Sequence, residues 1–465
     1  MLKYMTILAL LPILLVLAPS NDVQAQELTV DSNGNLGQIE NAEDAYSKNA
    51  PIIIGGVKSQ ISESTDTIAI ITISNVSIEF TEINTSDILD KIKNGEDIYL
   101  KNARIIGELN VSKIELKTVH EEWRMWQKPF VEELKVVESN ITIVDSIFEN
   151  DVDFSNTLFR KALLFWNTSF LGSSNFRTTK FIEDADFGSA SFSGGVDFGF
   201  AKFSSFAIFS GANFNGVTNF NDARFNSAAD FIGASFGGGA DFPFAIFDEV
   251  AYFHGARFDN AAVFDYATFG EDSYFNKAKF GGAAHFNDIN FNDVYFTDTE
   301  FFSVSLVNTD FQSVRVEWSS LKNALVFDGP TYLKLIKNFK DMEQFGDADD
   351  AYYQYRLLSQ KNKNGFSWLS DEIWRITCGY GVKPGNTILF GVLIILIFSL
   401  IYCLGGDVSI GDAFYFSMTT FASAQSKDWY PVDRYRKIAH IIERLSGWFI
   451  LSLFIVTLAK VMIRP

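Results

Sequence analysis

The chain has 465 residues and a net charge of −19, and its composition is 47% hydrophobic and 15% aromatic. Such acidity argues against nucleic-acid binding, and the regular spacing of its apolar residues argues against a disordered chain. Two cysteines and four scattered histidines form neither a disulfide framework nor a metal-ligand pattern, so we expect no metal and no cofactor. The sequence contains neither a recognisable nucleophile–base pair nor a phosphate-binding loop, so we do not expect an enzyme.

Residues 1–25 have the features of a secretory signal peptide. Lys3 supplies a positive start, and an apolar core from Tyr4 to Ala18 is short for a membrane span. Residues 23–25 form an acceptable cleavage site. The sequence therefore predicts export of the chain.

Residues 26–95 are interpreted as an N-terminal lead and capping segment. Residues 26–65 are polar and irregular, which predicts a flexible lead. The alternating β-branched residues of 66–83 predict a strand.

Two local features accompany the start of the repeat described next. Thr85 or Ser86 can cap a short helix over 87–93 that Gly95 ends, and this helix would cover the open end of the repeat. The stretch 120–128 interrupts the rhythm and predicts a loop or insertion.

A ladder of phenylalanines organises residues 96–328. From Phe148 to Phe291 every ladder position carries Phe, with alternating steps of six and five residues, after which a plain step of five continues to Val326. A small residue stands two positions before most of them, so the pair points the same way in an extended chain. A turn must follow each pair, because the next inward pair comes three or four residues later. The pattern predicts square coils, one pair on each side, that stack into a solenoid.

The ladder side chains are predicted to fill the core of this solenoid. Representative core positions are Phe148, Phe187, Phe231, Phe264 and Phe291. The repeat resembles the pentapeptide-repeat family, whose central Phe or Leu follows a small residue at i−2. The resemblance implies a mostly β fold, a right-handed quadrilateral β-helix, over about residues 98–328.

The step length of the ladder predicts the length of a coil. Two six-plus-five steps complete one coil, so Phe231 and Phe253 should occupy the same side in successive coils. Four plain steps of five residues make a coil that is two residues shorter, so we expect these shorter coils beyond Phe291.

Residues 329–383 change period and predict a helical linker. Apolar positions from Leu333 to Phe345 and from Ala348 to Leu358 indicate two helices. The aromatic stretch from Phe366 to Trp374 indicates a further helix at a membrane interface.

Residues 384–465 contain two apolar stretches long enough to cross a bilayer, 387–404 and 445–463, so we expect the lipid bilayer as a partner. The loop 405–444 between them is too apolar in its middle for an ordinary linker, and residues 409–431 are interpreted as a pore loop. Ser409 can cap a short helix that runs to about Phe421.

This arrangement resembles the two-transmembrane pore module of potassium-channel-like proteins, in which a pore helix ends in a Thr-Thr run before the filter. The matching residues are Thr419, Thr420, Asp428 and Pro431 in the loop, and Glu443, Gly447 and Trp448, which resemble the start of the family's second span. The resemblance implies a homotetramer, because one hairpin cannot enclose a path.

The segment at the filter position departs from the potassium-channel pattern. It consists of Ser423, Ala424, Gln425, Ser426 and Lys427. Potassium filters need glycines for their backbone angles, and none is present in these positions. Side chains such as Ser423, Gln425 and Lys427 would then line a path, and a ring of Lys427 would disfavour cations. Selectivity stays open, as does the choice between a conducting pore and a non-conducting anchor.

The phenylalanine ladder and the two predicted spans with their loop together resemble microbial pentapeptide-repeat proteins that have a C-terminal ion-channel domain. Residues 352–356 and 378–381 also contribute to this resemblance. Two functions are weighed. The first is a tetrameric channel whose solenoid, which we call the rod, senses an unknown extracellular ligand. The second is a membrane-anchored surface scaffold or adhesion module. A DNA-mimicking gyrase binder, as among soluble members of the family, would need the cytosol.

The distribution of basic residues predicts how the chain is oriented across the membrane. The inter-span region carries Lys427, Arg434, Arg436, Lys437 and Arg444, whereas the stretch 370–386 before the first span carries only Arg375 and Lys383. With a cleaved signal, residues 26–386 are extracytoplasmic and the loop enters the membrane from the cytoplasm. An ineffective signal would instead leave the rod in the cytosol.

Overall fold

The computed structural model describes residues 80–125, 128–361, 363–404, 408–424, 431 and 433–462, together with five short strands before residue 80. The predicted signal peptide at 1–25 lies outside the described residues.

The segment 1–79 is a unit of its own. Its described strands pair antiparallel, Leu28–Val30 with Leu36–Gln38, and Val57–Ser62 with both Ile52–Ile54 and Ile70–Thr72. The flexible lead predicted over 26–65 therefore contains hairpin strands, and that prediction was wrong. Gly55-Gly56 between two β-branched runs is a hairpin signal that the polar composition obscured.

A β-solenoid of about 10 turns follows. Within one turn the chain runs through the strands Ala240–Asp241, Ile246–Phe247, Ala251–Tyr252 and Arg257–Phe258. Each strand pairs in parallel with its equivalent in the next turn, as Ala229 pairs with Ala251. The register therefore confirms the coil length predicted from two six-plus-five steps.

The strands of the coils pair in parallel and form two sheets, and each sheet supplies two adjacent sides of the coil. In the described part of the chain, the first sheet contains Ile98–Lys101, Thr118–Met125, Lys128–Val137, Ile141–Val144, Thr157–Phe159, Leu163–Leu164, Lys180–Phe181, Ala185–Asp186, Lys202–Phe203, Ala207–Ile208, Arg224–Phe225, Ala229–Asp230, Ile246–Phe247, Ala251–Tyr252, Thr268–Phe269, Ser273–Tyr274, Asn290–Tyr295 and Asp310–Arg315. The second contains Thr81–Asn84, Ala103–Ile106, Leu109–Asn110, Ile147–Phe148, Val152–Asp153, Ser169–Phe170, Ser174–Asn175, Ser191–Phe192, Val196–Asp197, Asn213–Phe214, Thr218–Asn219, Ser235–Phe236, Ala240–Asp241, Arg257–Phe258, Ala262–Val263, Lys279–His285 and Glu300–Ser305.

The coil shortens by two residues where the step of the ladder changes. Thr268 pairs with Asn290 in the longer coil, and Asn290 pairs with Asp310 in the shorter one. At the last rung Leu325, not Val326, takes the inward position: Leu325 is 8% exposed and bridges to Val304, whereas Val326 is 45% exposed. The ladder prediction was therefore wrong by one residue at Val326.

The two kinds of ladder step make two kinds of corner. Five-residue steps turn through one residue with positive φ, and these residues recur at the same corner of successive coils, for example Gly233 (φ 65°) and Gly255 (φ 65°). At one six-residue corner, glycines stack from coil to coil. A Cβ on Gly216 would lie 2.4 Å from the carbonyl oxygen of Gly194. The backbones approach so closely there that a side chain does not fit.

The predicted ladder side chains form the core. Phe148, Phe187, Phe231, Phe264 and Phe291 are each at most 2% exposed. Burial of each such ring contributes about 2–3 kcal/mol relative to an exposed one.

Helix α1 (Thr85–Asn94) covers the first coil. Ile88 and Ile92 of α1 are buried in the solenoid core, and Gly95 ends the helix with φ 72°. The N-cap is Asn84, which differs from the predicted Thr85 or Ser86. Thr85 instead lies buried against Gly107 in the first turn, so its hydroxyl is committed to packing with the solenoid.

The segment 120–128 was predicted as a loop or insertion, and its described residues belong to two antiparallel strands, Thr118–Met125 and Lys128–Val137. Trp123 on the first of these strands is buried, and the Lys202 ammonium lies 3.8 Å from its ring centroid. Lys180 forms a salt bridge with Glu121. Contacts with residues far along the chain hold these strands, and local sequence does not reveal such contacts.

Seven α-helices and one 3-10 helix, Gly379–Gly381, follow in the described residues. The α-helices are α2 (Trp318–Leu321), α3 (Gly329–Asp341), α4 (Phe345–Gln360), α5 (Phe366–Cys378), α6 (Pro384–Cys403), α7 (Ile410–Phe421) and α8 (Arg434–Met462). Tyr332, Leu335 and Phe339 of α3 pack on the last coils and close the second end of the solenoid. Both linker helices predicted between 333 and 358 are thus present.

Among the described residues, α6 and α8 are the two helices long and apolar enough to cross a membrane. Helix α6 begins three residues before the predicted span 387–404. Helix α8 begins at Arg434, well before the predicted span 445–463, because the Arg and Lys residues that precede the apolar stretch are themselves good helix formers.

Candidate functional site

Helix α7 lies between α6 and α8. Its N-cap is Ser409, as predicted, and the hydroxyl oxygen of Ser409 accepts a hydrogen bond of 3.2 Å from the backbone N–H of Asp412. With 12 residues, α7 is about 18 Å long, too short to cross a bilayer.

Contacts at its two ends locate α7 along the long helices. The Cys403 thiol at the end of α6 lies 3.9 Å from the carbonyl oxygen of Ser409. At the other end Phe421 packs on Gly391 of α6 and Gly447 of α8. A Cβ on Gly447 would lie 2.1 Å from the Phe421 carbonyl oxygen, so only glycine permits this approach. Helix α7 therefore starts beside the far end of α6 and runs back to its middle.

A buried polar cluster fastens α7 to both long helices. The Tyr402 hydroxyl donates a 2.7 Å hydrogen bond to the carboxylate of Glu443, which is 0% exposed. Ser417 of α7 donates to the other carboxylate oxygen and lies 2.9 Å from the Ile395 carbonyl oxygen. Thr420 lies 3.3 Å from Nδ1 of His440. One buried acid thus joins all three helices.

Glu443 was among the residues that the sequence predicted for the pore module, whereas Tyr402, Ser417 and His440 were not. An acid beside an apolar span needs partners, which is a recognisable signal. The identity of the partners depends on the packing of three helices, which periodicity does not specify.

The residues predicted to belong to a filter are only partly described. Thr419 donates a 2.9 Å hydrogen bond to the Phe416 carbonyl of its own helix, and Thr420 is buried against α8. Ser423 follows α7 in a left-handed conformation (φ 57°), and Ala424 is exposed. The remaining members, Gln425, Ser426, Lys427 and Asp428, lie outside the described residues.

The face of α7 away from α6 and α8 is apolar and exposed. It carries Phe414, Tyr415 and Met418, which have the spacing of one helix face. Nothing in the described part of a single chain covers this face.

A second polar cluster, around the buried Asp371, lies where the linker meets the long helices, and we call it the junction. Asp371 of α5 pairs with Arg356 of α4 at 2.9 Å and with Lys363 at 2.5 Å. These cations, Lys363 first, hold the pKa of the Asp371 carboxyl below its usual range. Beside it, the hydrogen bonds from Arg375 lower the pKa of Glu372 to about 2.

The junction also contains Tyr380, which shortly precedes α6, and the end of α8. The Tyr380 hydroxyl lies 2.7 Å from Oε1 of Gln360, and the Lys460 ammonium lies 5.3 Å from the ring centroid of Tyr352. The start of α6 and the end of α8 are therefore on the solenoid side, opposite the entry of α7.

Helix α4 connects the junction to the solenoid. Its Ala348 and Ala351 are buried in the solenoid core cluster, and Gln354 donates a hydrogen bond to the Lys322 carbonyl. Arg356 and Tyr352 of the same helix belong to the junction. The rod and the helical hairpin thus share one rigid element.

No group of His, Cys, Asp and Glu within the described ranges could hold a metal ion. The acids of the two polar clusters instead pair with hydroxyl and cationic side chains, as Glu443 does with Tyr402 and Asp371 with Arg356.

A family model for pentapeptide repeats, with nine copies, matches residues 209–257 and 245–290. The solenoid is built of pentapeptide repeats. Searches of curated proteins and of solved structures found no match. The pentapeptide-repeat coils outside the matched residues keep the same parallel register, as in the pairing of Phe170 with Phe192. This solenoid is a structural fold that is not typically catalytic.

Proposed function

We propose that the protein is a membrane protein in which an extracytoplasmic pentapeptide-repeat rod stands on a tetrameric ion-conducting pore formed by α6, α7 and α8. The observation that carries this proposal is the position of α7 between α6 and α8. A short helix, too short to cross, is held between two helices of membrane-crossing length and ends at the middle of α6.

The apolar exposed face of α7 supports association of several copies. Phe414, Tyr415 and Met418 are not covered within the described part of one chain, and one hairpin cannot surround a path. Four copies around an axis would cover these side chains and bring the four segments that begin at Ser423 together. The number four comes from the resemblance to potassium-channel-like proteins.

We infer that such a pore is not selective for potassium. The segment after α7 contains no glycine from Ser423 to Lys427, and a carbonyl-lined filter depends on glycine backbone angles. Side chains, rather than carbonyls, would line this path.

Helix α4 supplies the route by which the rod would act on the pore. It is anchored in the solenoid core at Ala351 and contacts Lys460 of α8 through Tyr352. A ligand that tilts the rod would therefore move the end of α8.

Orientation is tested by single cysteines on intact cells in a Cys378→Ser, Cys403→Ser background. Ser204→Cys lies on the exposed surface of the rod, and Asp433→Cys lies at the exposed start of α8. We expect an impermeant maleimide to label Ser204→Cys and not Asp433→Cys. The reverse pattern would place the rod in the cytosol.

Conduction is tested with the full chain in planar bilayers. We expect single-channel currents from wild-type protein and their loss in Gly447→Ala, because the added Cβ collides with the Phe421 carbonyl. Gly385→Ala is the matched control, since no atom lies within 4 Å of its added Cβ. A correctly inserted, silent wild-type protein would leave the scaffold or adhesion function with a non-conducting anchor.

A further inference from the structure

The junction contains a cavity of about 180 Å³, lined by Arg356, Trp374, Tyr380 and Gly381. The guanidinium of Arg356 lies 4.9 Å from the ring centroid of Tyr380. The Lys460 ammonium lies 3.9 Å from the position that a Cβ would take on Gly381. The cavity therefore has a guanidinium in its wall and an ammonium at its margin.

Positive charge is in excess around this cavity. Arg356 and Lys363 share the single carboxylate of Asp371, whereas Arg375 is matched by Glu372. Lys460 contacts the ring of Tyr352 and has no acidic partner in the described part of the chain. An anion in the cavity would complement this excess.

The cavity opens beside an apolar surface. Trp374 lines the cavity and is also part of an exposed stripe on α5 that includes Phe366, Leu369 and Ile373. Aromatic and aliphatic side chains beside basic ones are typical of the interface between headgroups and acyl chains. The ligand should therefore carry an anionic group next to an apolar body.

We propose that this cavity binds the phosphate headgroup of an anionic phospholipid. The phosphate oxygens accept hydrogen bonds from Arg356 and pair with Lys460, and the acyl chains lie along the α5 stripe beyond Trp374. The inference rests on the membrane placement of α6 and α8 proposed above, but not on conduction. A lipid held here would join the end of α8 to the linker.

The test is native mass spectrometry of the delipidated full chain, titrated with dioleoyl phosphatidylglycerol or dioleoyl phosphatidylcholine. We expect tighter binding of phosphatidylglycerol, weakened about fivefold by Lys460→Gln through the loss of one cationic contact. Lys460→Arg should keep the binding. Lys437→Gln, the same change at the exposed opposite end of α8, should have no effect.

Three results would overturn the inference: equal binding of the two lipids, an unaltered titration in Lys460→Gln, or displacement of phosphatidylglycerol by millimolar inorganic phosphate. The last would indicate a site for free anions. Failure of the chain to resist alkaline extraction from vesicles would instead count against the proposed membrane function, so the two failures are distinguishable.

Discussion

The ring of Phe231 stacks on the ring of Phe253 with centroids 4.8 Å apart and an interplanar angle of 0°. The two residues stand one complete coil apart, so each ring repeats the spacing of the parallel strands that hold it. Neighbouring columns meet edge to face, as Phe231 and Phe242 do at 90°. Both arrangements are favourable for aromatic pairs.

Phe231→Asp should destabilise the rod by about 3–5 kcal/mol, because it removes a buried ring and leaves a carboxylate without a partner. Phe302→Asp is the matched control, since Phe302 is among the most exposed rings of the solenoid. Thermal melting of the full chain followed by circular dichroism would measure both. Equal melting temperatures would mean that the ladder does not point inward.

Gly216→Ala should destabilise the rod by about 1–3 kcal/mol, because its Cβ would overlap the backbone of the previous coil. Gly239→Ala introduces the same methyl group where the nearest atom is 4.0 Å away and should be neutral. Chemical denaturation with identical detergent conditions would compare the variants. A larger effect at Gly239 would contradict the close approach of coils at this corner.

Glu443→Ala should loosen the hold on α7, since the hydroxyls of Tyr402 and Ser417 lose their shared acceptor. Each buried hydroxyl without a partner costs about 1–3 kcal/mol. Glu443→Gln keeps an acceptor oxygen and should retain more of the stability. Scanning fluorimetry of the solubilised chain would rank the three proteins, and a Gln variant no better than Ala would show that the hydrogen bonds contribute little.

Acidic pH should weaken the junction. The pKa values of Asp371 and Glu372 are lowered in the folded chain, so both carboxylates stabilise it above their ordinary pKa values, and this stabilisation is lost as the pH falls. For Glu372 the window runs from its ordinary pKa of 4.5 down to about 2. Melting of Glu372→Gln should depend less on pH across this window than melting of the wild type.

Asp341→Asn is the control for this pH dependence, because Asp341 is an exposed acid on α3 outside the junction. It should keep the wild-type profile. A Glu372→Gln profile that follows the wild type across the whole window would mean that the Arg375 pair does not stabilise the folded linker.

Local patterning in the sequence was enough to predict the solenoid, its core and the two apolar helices. Alternating steps of six and five residues require a recurring turn, and the inward Phe positions follow from alternation in extended chain. Ser409 and Gly95 were likewise readable, because helix caps depend on a few adjacent residues. These features depend only on residues that are close together in the chain, so the sequence alone is enough to predict them.

The meeting of distant groups, by contrast, depends on the tertiary structure. The strands Thr118–Met125 and Lys128–Val137 are held in place because Trp123 and Glu121 contact lysines far along the chain. The partners of Glu443, and the cavity between Arg356 and Trp374, likewise depend on how helices cross. Helix periodicity specifies which face is apolar, but the pairing of polar groups across faces is set by packing, since each such group must find a partner when it is buried.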